Sequence, residues 1–78
     1  MHELVVLMPL SLDVAGPVVF SWGGDGKGSA PDAERLFVEE VNRGGIALQV
    51  LGKEKARLMP IFDPAAEKIL ILPPTVGG

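Results

Sequence analysis

Two glycines, Gly77 and Gly78, end the 78-residue sequence and are the residues with the most distinctive chemistry. Because glycine has no side chain, this segment can pass through a narrow channel and approach another backbone closely. Pro73 and Pro74 lie before it, and their fixed φ and missing N–H favour an extended exit from the preceding strand. We therefore predict that the Gly78 carboxylate can enter an adenylating site and be activated there. Taken alone, the dipeptide is equally compatible with a frayed chain end.

A second suggestive segment is the glycine-rich stretch 23–28, which lies between a predicted strand and a predicted helix. A phosphate-binding loop of the Walker type needs a glycine, four further residues and then Gly-Lys-Ser/Thr. Here Ser21 stands at the position of the first glycine, and Gly28 stands where a hydroxyl residue would contact magnesium. The pattern therefore predicts a mobile loop tip and not a nucleotide site.

Side chains that could act as catalysts or metal ligands are sparse. The chain has no cysteine, which excludes a disulfide, a zinc-thiolate site and a cysteine nucleophile. His2 is the single histidine and is predicted to be solvated. Glu39 and Glu40 are adjacent on a predicted helix and point about 100° apart, so we predict a solvated helix face and not a carboxylate pair. We predict no catalytic residue and no metal site, and we expect Trp22 to cap the core.

Length and charge narrow the class of protein. Seventy-eight residues form one small domain, and an apolar content of 47% argues against disorder. The formal net charge of −3 disfavours nucleic acid and anionic membranes as partners and favours a basic partner surface. The first residues lack the basic region of a secretory signal, and no apolar run reaches the length of a membrane span. We therefore expect a soluble, cytoplasmic protein.

The elements that would position the tail can be predicted from hydrophobic patterns and turn residues. A helix is predicted to begin at Ser29 and to end at a glycine cap, Gly44 or Gly45, with one apolar stripe formed by Ala33, Leu36, Phe37 and Val41. One helical turn capped by Asp63 is predicted at 63–67. Strands are predicted at 4–8, 17–22, 46–51, 58–62 and 68–72. The last strand is uniformly apolar and is expected at the centre of the sheet.

These elements predict an α+β fold with a mixed four- to five-stranded sheet packed on one helix. The sequence ends in Ile71-Leu72-Pro73-Pro74-Thr75-Val76-Gly77-Gly78. This order of elements and this ending resemble the β-grasp fold of ubiquitin-like proteins, and most closely the sulfur-carrier families MoaD and ThiS. Phe62-Asp63-Pro64 and Glu67-Lys68-Ile69 are also similar to the acidic turn before the last strand of those families. The resemblance implies a β-grasp domain over 1–74 and a flexible diglycine tail over 75–78.

The resemblance also implies a function. A ubiquitin-activating-type enzyme would use ATP to adenylate the Gly78 carboxylate, and this chain would bind no cofactor and perform no catalysis. In a sulfur carrier, the activated terminus becomes a thiocarboxylate that is donated to a sulfur-accepting synthase. In a protein modifier, the alternative, it is joined to lysines of target proteins. A third reading is a small structural or binding module, for example of phage origin.

The partner-binding surface implied by the resemblance is the sheet face beside the tail. Its predicted members are apolar or tail residues, namely Phe62, Leu70, Leu72, Pro73, Pro74, Thr75 and Val76. The competing interpretation places the strand residues among them in the core. The pattern leaves this choice open, because a register shift of one residue moves every side chain to the other face.

Overall fold

A computed structural model describes residues 2–9, 16–24 and 28–73 of the chain and shows five strands and one helix in these ranges. In chain order they are β1 (His2–Val6), β2 (Val18–Trp22), α1 (Ala30–Asn42), β3 (Ile46–Val50), β4 (Ala56–Leu58) and β5 (Lys68–Leu72). The predicted order of one helix after two strands, followed by three more strands, is confirmed. The predicted boundary between domain and tail, after residue 74, lies outside the described residues.

The five strands form one mixed sheet in the order β2-β1-β5-β3-β4. The first and last strands, β1 and β5, run parallel to each other, and the other three neighbouring pairs are antiparallel. The predicted central position of the last strand is therefore confirmed. The architecture is α+β, with one helix on a mixed sheet, and it is compatible with a β-grasp.

Local signals determine both ends of α1. The Oγ of Ser29 accepts a hydrogen bond from the backbone N–H of Asp32 at 3.3 Å, which satisfies one of the free donors at the start of the helix. At the other end Gly44 has a φ of 110°, a left-handed conformation that favours glycine. The next residue, Gly45, donates its N–H to the carbonyl of Glu40 at 2.9 Å. The chain can then turn directly into β3.

The core lies between α1 and the helix-facing side of the sheet. The strand residues on that side include Leu4, Val6, Ile69 and Ile71, all of them almost completely buried. From the helix, Ala33 and Phe37 are buried, while Leu36 and Val41 are partly buried against the same cluster. The predicted apolar stripe of the helix is thus confirmed.

The helix also corrects one expectation, because Glu40 is not solvated. It is 0% exposed, although the pattern predicts that it lies on the polar face beside Glu39. Spacing explains the difference: Glu40 follows Phe37 by three residues and Ala33 by seven, so it shares their face. Among the described residues no buried side-chain nitrogen or oxygen lacks a hydrogen-bond partner.

The segment before β5 differs most from the prediction. The fourth strand is Ala56–Leu58 and not 58–62, and it ends before Pro60, which cannot donate to a strand ladder. The helical turn predicted at 63–67 is not formed as a helix, and a single backbone turn stands in its place. The carbonyl of Asp63 accepts the N–H of Ala66 at 3.0 Å, and its side-chain Oδ1 accepts the N–H of Ala65 at 2.9 Å. The capping role predicted for Asp63 is retained in this smaller turn.

Candidate functional site

The sheet face that points away from α1 is largely aliphatic. Residues that pair across neighbouring strands project to the same face, so the register identifies its members. Val5 pairs with both Val19 and Leu70, and Leu70 pairs in turn with Leu48. We call this surface the open face, and its aliphatic members are Val5, Val19, Ile46, Leu48, Val50, Leu58, Leu70 and Leu72.

These side chains cover all five strands and are only partly shielded. Val19 is 56% exposed and Leu58 is 69% exposed, while Leu70 and Leu72 are half-buried at the centre. One end of the open face is charged, because Glu3 pairs with Lys68 there and their side chains approach to 3.9 Å. Since both are exposed, this ion pair adds little stability. An apolar surface of this extent, with a charged rim, is typical of a protein-binding site.

The chain leaves the open face beside β3. Leu72, the last residue of β5, pairs with Ile46, the first residue of β3, and Pro73 follows half-buried. Pro74, Thr75, Val76, Gly77 and Gly78, the remaining predicted contacts and the predicted activated terminus, lie outside the described residues. The described part of the predicted site is therefore Leu70, Leu72 and Pro73.

Phe62 is not part of this surface. It is 9% exposed and lies on the helix side of the sheet, so its predicted place among exposed partner contacts is wrong. Its ring packs against Trp22 at a centroid distance of 5.5 Å and against Phe37 at 5.6 Å in an edge-to-face arrangement. The alternative that Phe62 belongs to the core is confirmed. The reason is that the chain leaves β4 after Leu58 and then folds under the sheet.

The aromatic cluster continues to His2. This residue is predicted from the sequence to be solvated, but it is half-buried. Its ring stacks on Trp22 at 5.3 Å, and its Nδ1 lies 2.8 Å from the carbonyl oxygen of Ala66. Trp22 is buried, as expected for a core cap, and its Nε1 donates to the carbonyl of Pro64 at 3.2 Å. Both rings therefore hold the segment before β5 against the ends of β1 and β2. These contacts indicate a structural role for His2 and Trp22.

The glycine-rich stretch 23–28 is described only at its two ends. The N–H of Gly28 donates to the carbonyl of Ser21 at 2.9 Å, so the chain returns to the end of β2. A Cβ at Gly28 would collide with the ring of Phe20. Position 28 therefore requires glycine, because the backbone packs directly against that ring. The predicted nature of the loop tip, residues 25–27, lies outside the described residues.

In the described ranges no cluster of three or more His, Asp or Glu side chains is placed to hold a metal ion. No helix in the same ranges has both the length and the apolar character needed to cross a membrane. Comparisons with protein-family models, with curated proteins and with solved structures give no match to this chain.

Pattern analysis of single segments missed most of the open face. Val5 and Val19 lie in short apolar runs that do not alternate with polar residues, so each run is compatible with burial on both faces. Ile46 and Leu48 alternate with Ala47 and Gln49, a pattern that favours the core side for them and not an open face. Only the pairing register separates the two faces of such strands. The number of predicted strands does indicate that an open face exists. A helix of 13 residues, the length of α1, covers only one side of a five-stranded sheet.

Proposed function

We propose that this protein is a ubiquitin-like β-grasp carrier, most similar in function to the MoaD and ThiS sulfur carriers. The strand order supports the β-grasp assignment, since the first and last strands lie side by side and parallel at the centre of the sheet. In this proposal the chain acts in the cytoplasm as the substrate of a ubiquitin-activating-type enzyme and is not itself an enzyme.

One observation carries the proposal: the open face and the start of the tail are adjacent. β5 contributes Leu70 and Leu72 to the centre of the open face, and the chain continues from Leu72 through Pro73 toward Gly78. A partner that binds the open face would therefore lie beside the segment it must receive. Apolar contact would supply affinity, and the tail would supply the reactive group.

The chemistry requires only the carboxylate of Gly78. In the first step one carboxylate oxygen attacks the α-phosphorus of ATP, which forms an acyl-adenylate and releases pyrophosphate. In the second step hydrosulfide, supplied as the sulfur donor, attacks the acyl carbon, the bond from that carbon to the phosphate oxygen breaks, and AMP leaves. Gly78 then carries a thiocarboxylate that a synthase can accept. The partner enzyme supplies ATP and catalysis, and this chain supplies the acyl group.

The test uses purified protein, ATP, Mg²⁺ and an adenylating enzyme of the ubiquitin-activating type from the same organism. We expect exchange of labelled pyrophosphate into ATP that depends on this protein, and an intact mass that rises by the difference between sulfur and oxygen once a sulfur donor is added. The intact mass measured before the reaction must equal that of a protein whose last residue is Gly78. Absence of both exchange and mass change would refute the carrier proposal.

Two variants make the test specific. Deletion of Gly78 should abolish exchange while the midpoint of thermal unfolding stays unchanged. Gly52→Ala should preserve both, because a Cβ at Gly52 meets no atom within 4 Å. Exchange that persists without Gly78 would contradict the proposed reactive group. If activation succeeds but the products are conjugates on lysines and not a thiocarboxylate, the protein is a modifier.

A further inference from the structure

On the side of β4 that faces away from β3, backbone groups are unpaired among the described residues. In the β3–β4 pair, Leu51 donates its N–H to Lys55 at 2.8 Å and Met59 donates to Ala47 at 2.9 Å. Because backbone groups alternate in direction along a strand, Lys55, Arg57 and Met59 face β3. Ala56 and Leu58 consequently direct their N–H and C=O groups away from the sheet. In the described part of the chain no strand pairs with this side of β4.

Two open grooves border this edge of β4. One, of about 300 Å³, is lined by Gln49, Arg57 and Ile61, and the other, of about 290 Å³, is lined by Val41 and Ile46. Leu58, Met59 and Pro60 line both grooves, so the two grooves meet at this edge. Two of the most exposed apolar side chains of the described residues stand here, Leu58 at 69% and Ile61 at 78%. A strand added to a sheet edge needs such spaces for its side chains.

The same edge is positively charged on an otherwise acidic molecule. The segment 53–57 contains Lys53, Lys55 and Arg57 but one acid, Glu54, and all four side chains are exposed. The rest of the chain has four Lys or Arg residues and nine Asp or Glu residues. Asp63 also lines one groove, but its Oδ1 already accepts a hydrogen bond from Ala65. A second copy of β4 would place like charges side by side, which disfavours self-pairing.

We propose that the edge of β4 binds an extended segment of a partner protein in which acidic and aliphatic residues alternate. Alternation follows from the two faces of β4. Arg57 projects to the helix side, where it donates to Oε1 of Gln49 at 3.2 Å, and Leu58 projects to the open face. A neighbouring strand would therefore place acidic side chains beside Arg57 and Lys55 and aliphatic side chains beside Leu58. This proposal is independent of the carrier function.

The probe is a fluorescein-labelled decapeptide with blocked ends in which aspartate alternates with valine, and the measurement is fluorescence anisotropy. We expect it to bind more tightly than a peptide with alternating lysine and valine, or one with its aspartates and valines in two blocks. Added salt should weaken binding, because the charges at this edge are exposed. Equal affinity for the acidic and basic peptides would overturn the proposal.

Variants at the edge locate the site. Lys55→Glu combined with Arg57→Glu should weaken binding about tenfold, since two rim charge pairs change sign, whereas Arg57→Lys should preserve it. Leu58→Pro removes an outward N–H without removing a β3–β4 hydrogen bond and should abolish binding. Leu58→Ser should weaken binding. Val19→Ser also replaces an exposed aliphatic side chain, but on β2, the edge strand at the opposite side of the sheet, so it should leave binding unchanged. Loss of peptide binding with Val19→Ser would overturn the proposal. So would a dimer in analytical ultracentrifugation that the Leu58→Pro variant no longer forms.

Discussion

Two neighbouring residues in the segment after β4 have opposite environments. Ile61 is 78% exposed, whereas Phe62 is 9% exposed and packs between Trp22 and Phe37. Both are large and apolar, and no local pattern ranks one above the other. Their difference arises because the segment is irregular: it crosses below the sheet and delivers Met59, Phe62 and Ala66 to the core.

This contrast gives a prediction for stability. Phe62→Ala should lower the free energy of unfolding by about 3–5 kcal/mol, because it leaves a cavity beside two other rings. Ile61→Ala should change it by less than about 0.5 kcal/mol, because that side chain is exposed. Urea unfolding followed by the fluorescence of Trp22, the single tryptophan, measures both. If Phe62→Ala does not fold, the intermediate Phe62→Leu should still show a loss larger than that of Ile61→Ala, and equal losses would contradict the packing described.

Among the helix and the strands, α1 is the part of the structure that the sequence predicts best. Its start, its end and its apolar stripe depend on residues within a few positions of one another: Ser29 with Asp32, Gly44 after the last turn, and Ala33 with Phe37. The misplaced β4 shows the opposite case. Its length is limited by pairing with β3 and by Pro60, and a three-residue strand has no periodicity to detect.

The helix cap can be tested directly. Ser29→Ala removes the acceptor for the N–H of Asp32 and should cost about 1 kcal/mol of unfolding free energy. Ser29→Asp restores an acceptor at the same position and adds a charge that the helix dipole favours, so it should recover most of this loss. The comparison uses the same urea titration. A Ser29→Ala protein as stable as the parent would mean that the cap does not determine where α1 begins.

Pairing between strands that are distant in sequence determines which features of the fold can be predicted. The central place of β5 follows from its apolar composition, and α1, the one helix of the described residues, covers only one face of the sheet. The open face itself could not be assigned, because its members are distributed over five strands and are brought together only by register. Glu40 is a different case, since its spacing from Phe37 and Ala33 already places it on the buried face of the helix.

The open face should determine how tightly the proposed partner enzyme binds this protein. Leu70→Lys places a charge at the centre of that face. Because the long lysine side chain can still extend to solvent there, the free energy of unfolding should change little. Binding to the adenylating enzyme should weaken about tenfold or more, equivalent to about 1.4 kcal/mol, because central apolar contacts dominate interface affinity. The readout is the concentration of this protein that gives half-maximal pyrophosphate exchange.

Val38→Lys is the matched control, since Val38 is an exposed aliphatic residue on α1, on the other side of the sheet. It changes net charge equally and should leave the half-maximal concentration unchanged. If both variants weaken exchange to the same degree, the effect comes from total charge and not from contact. If neither does, the enzyme recognises the tail alone, and the aliphatic open face must then be covered by a different partner.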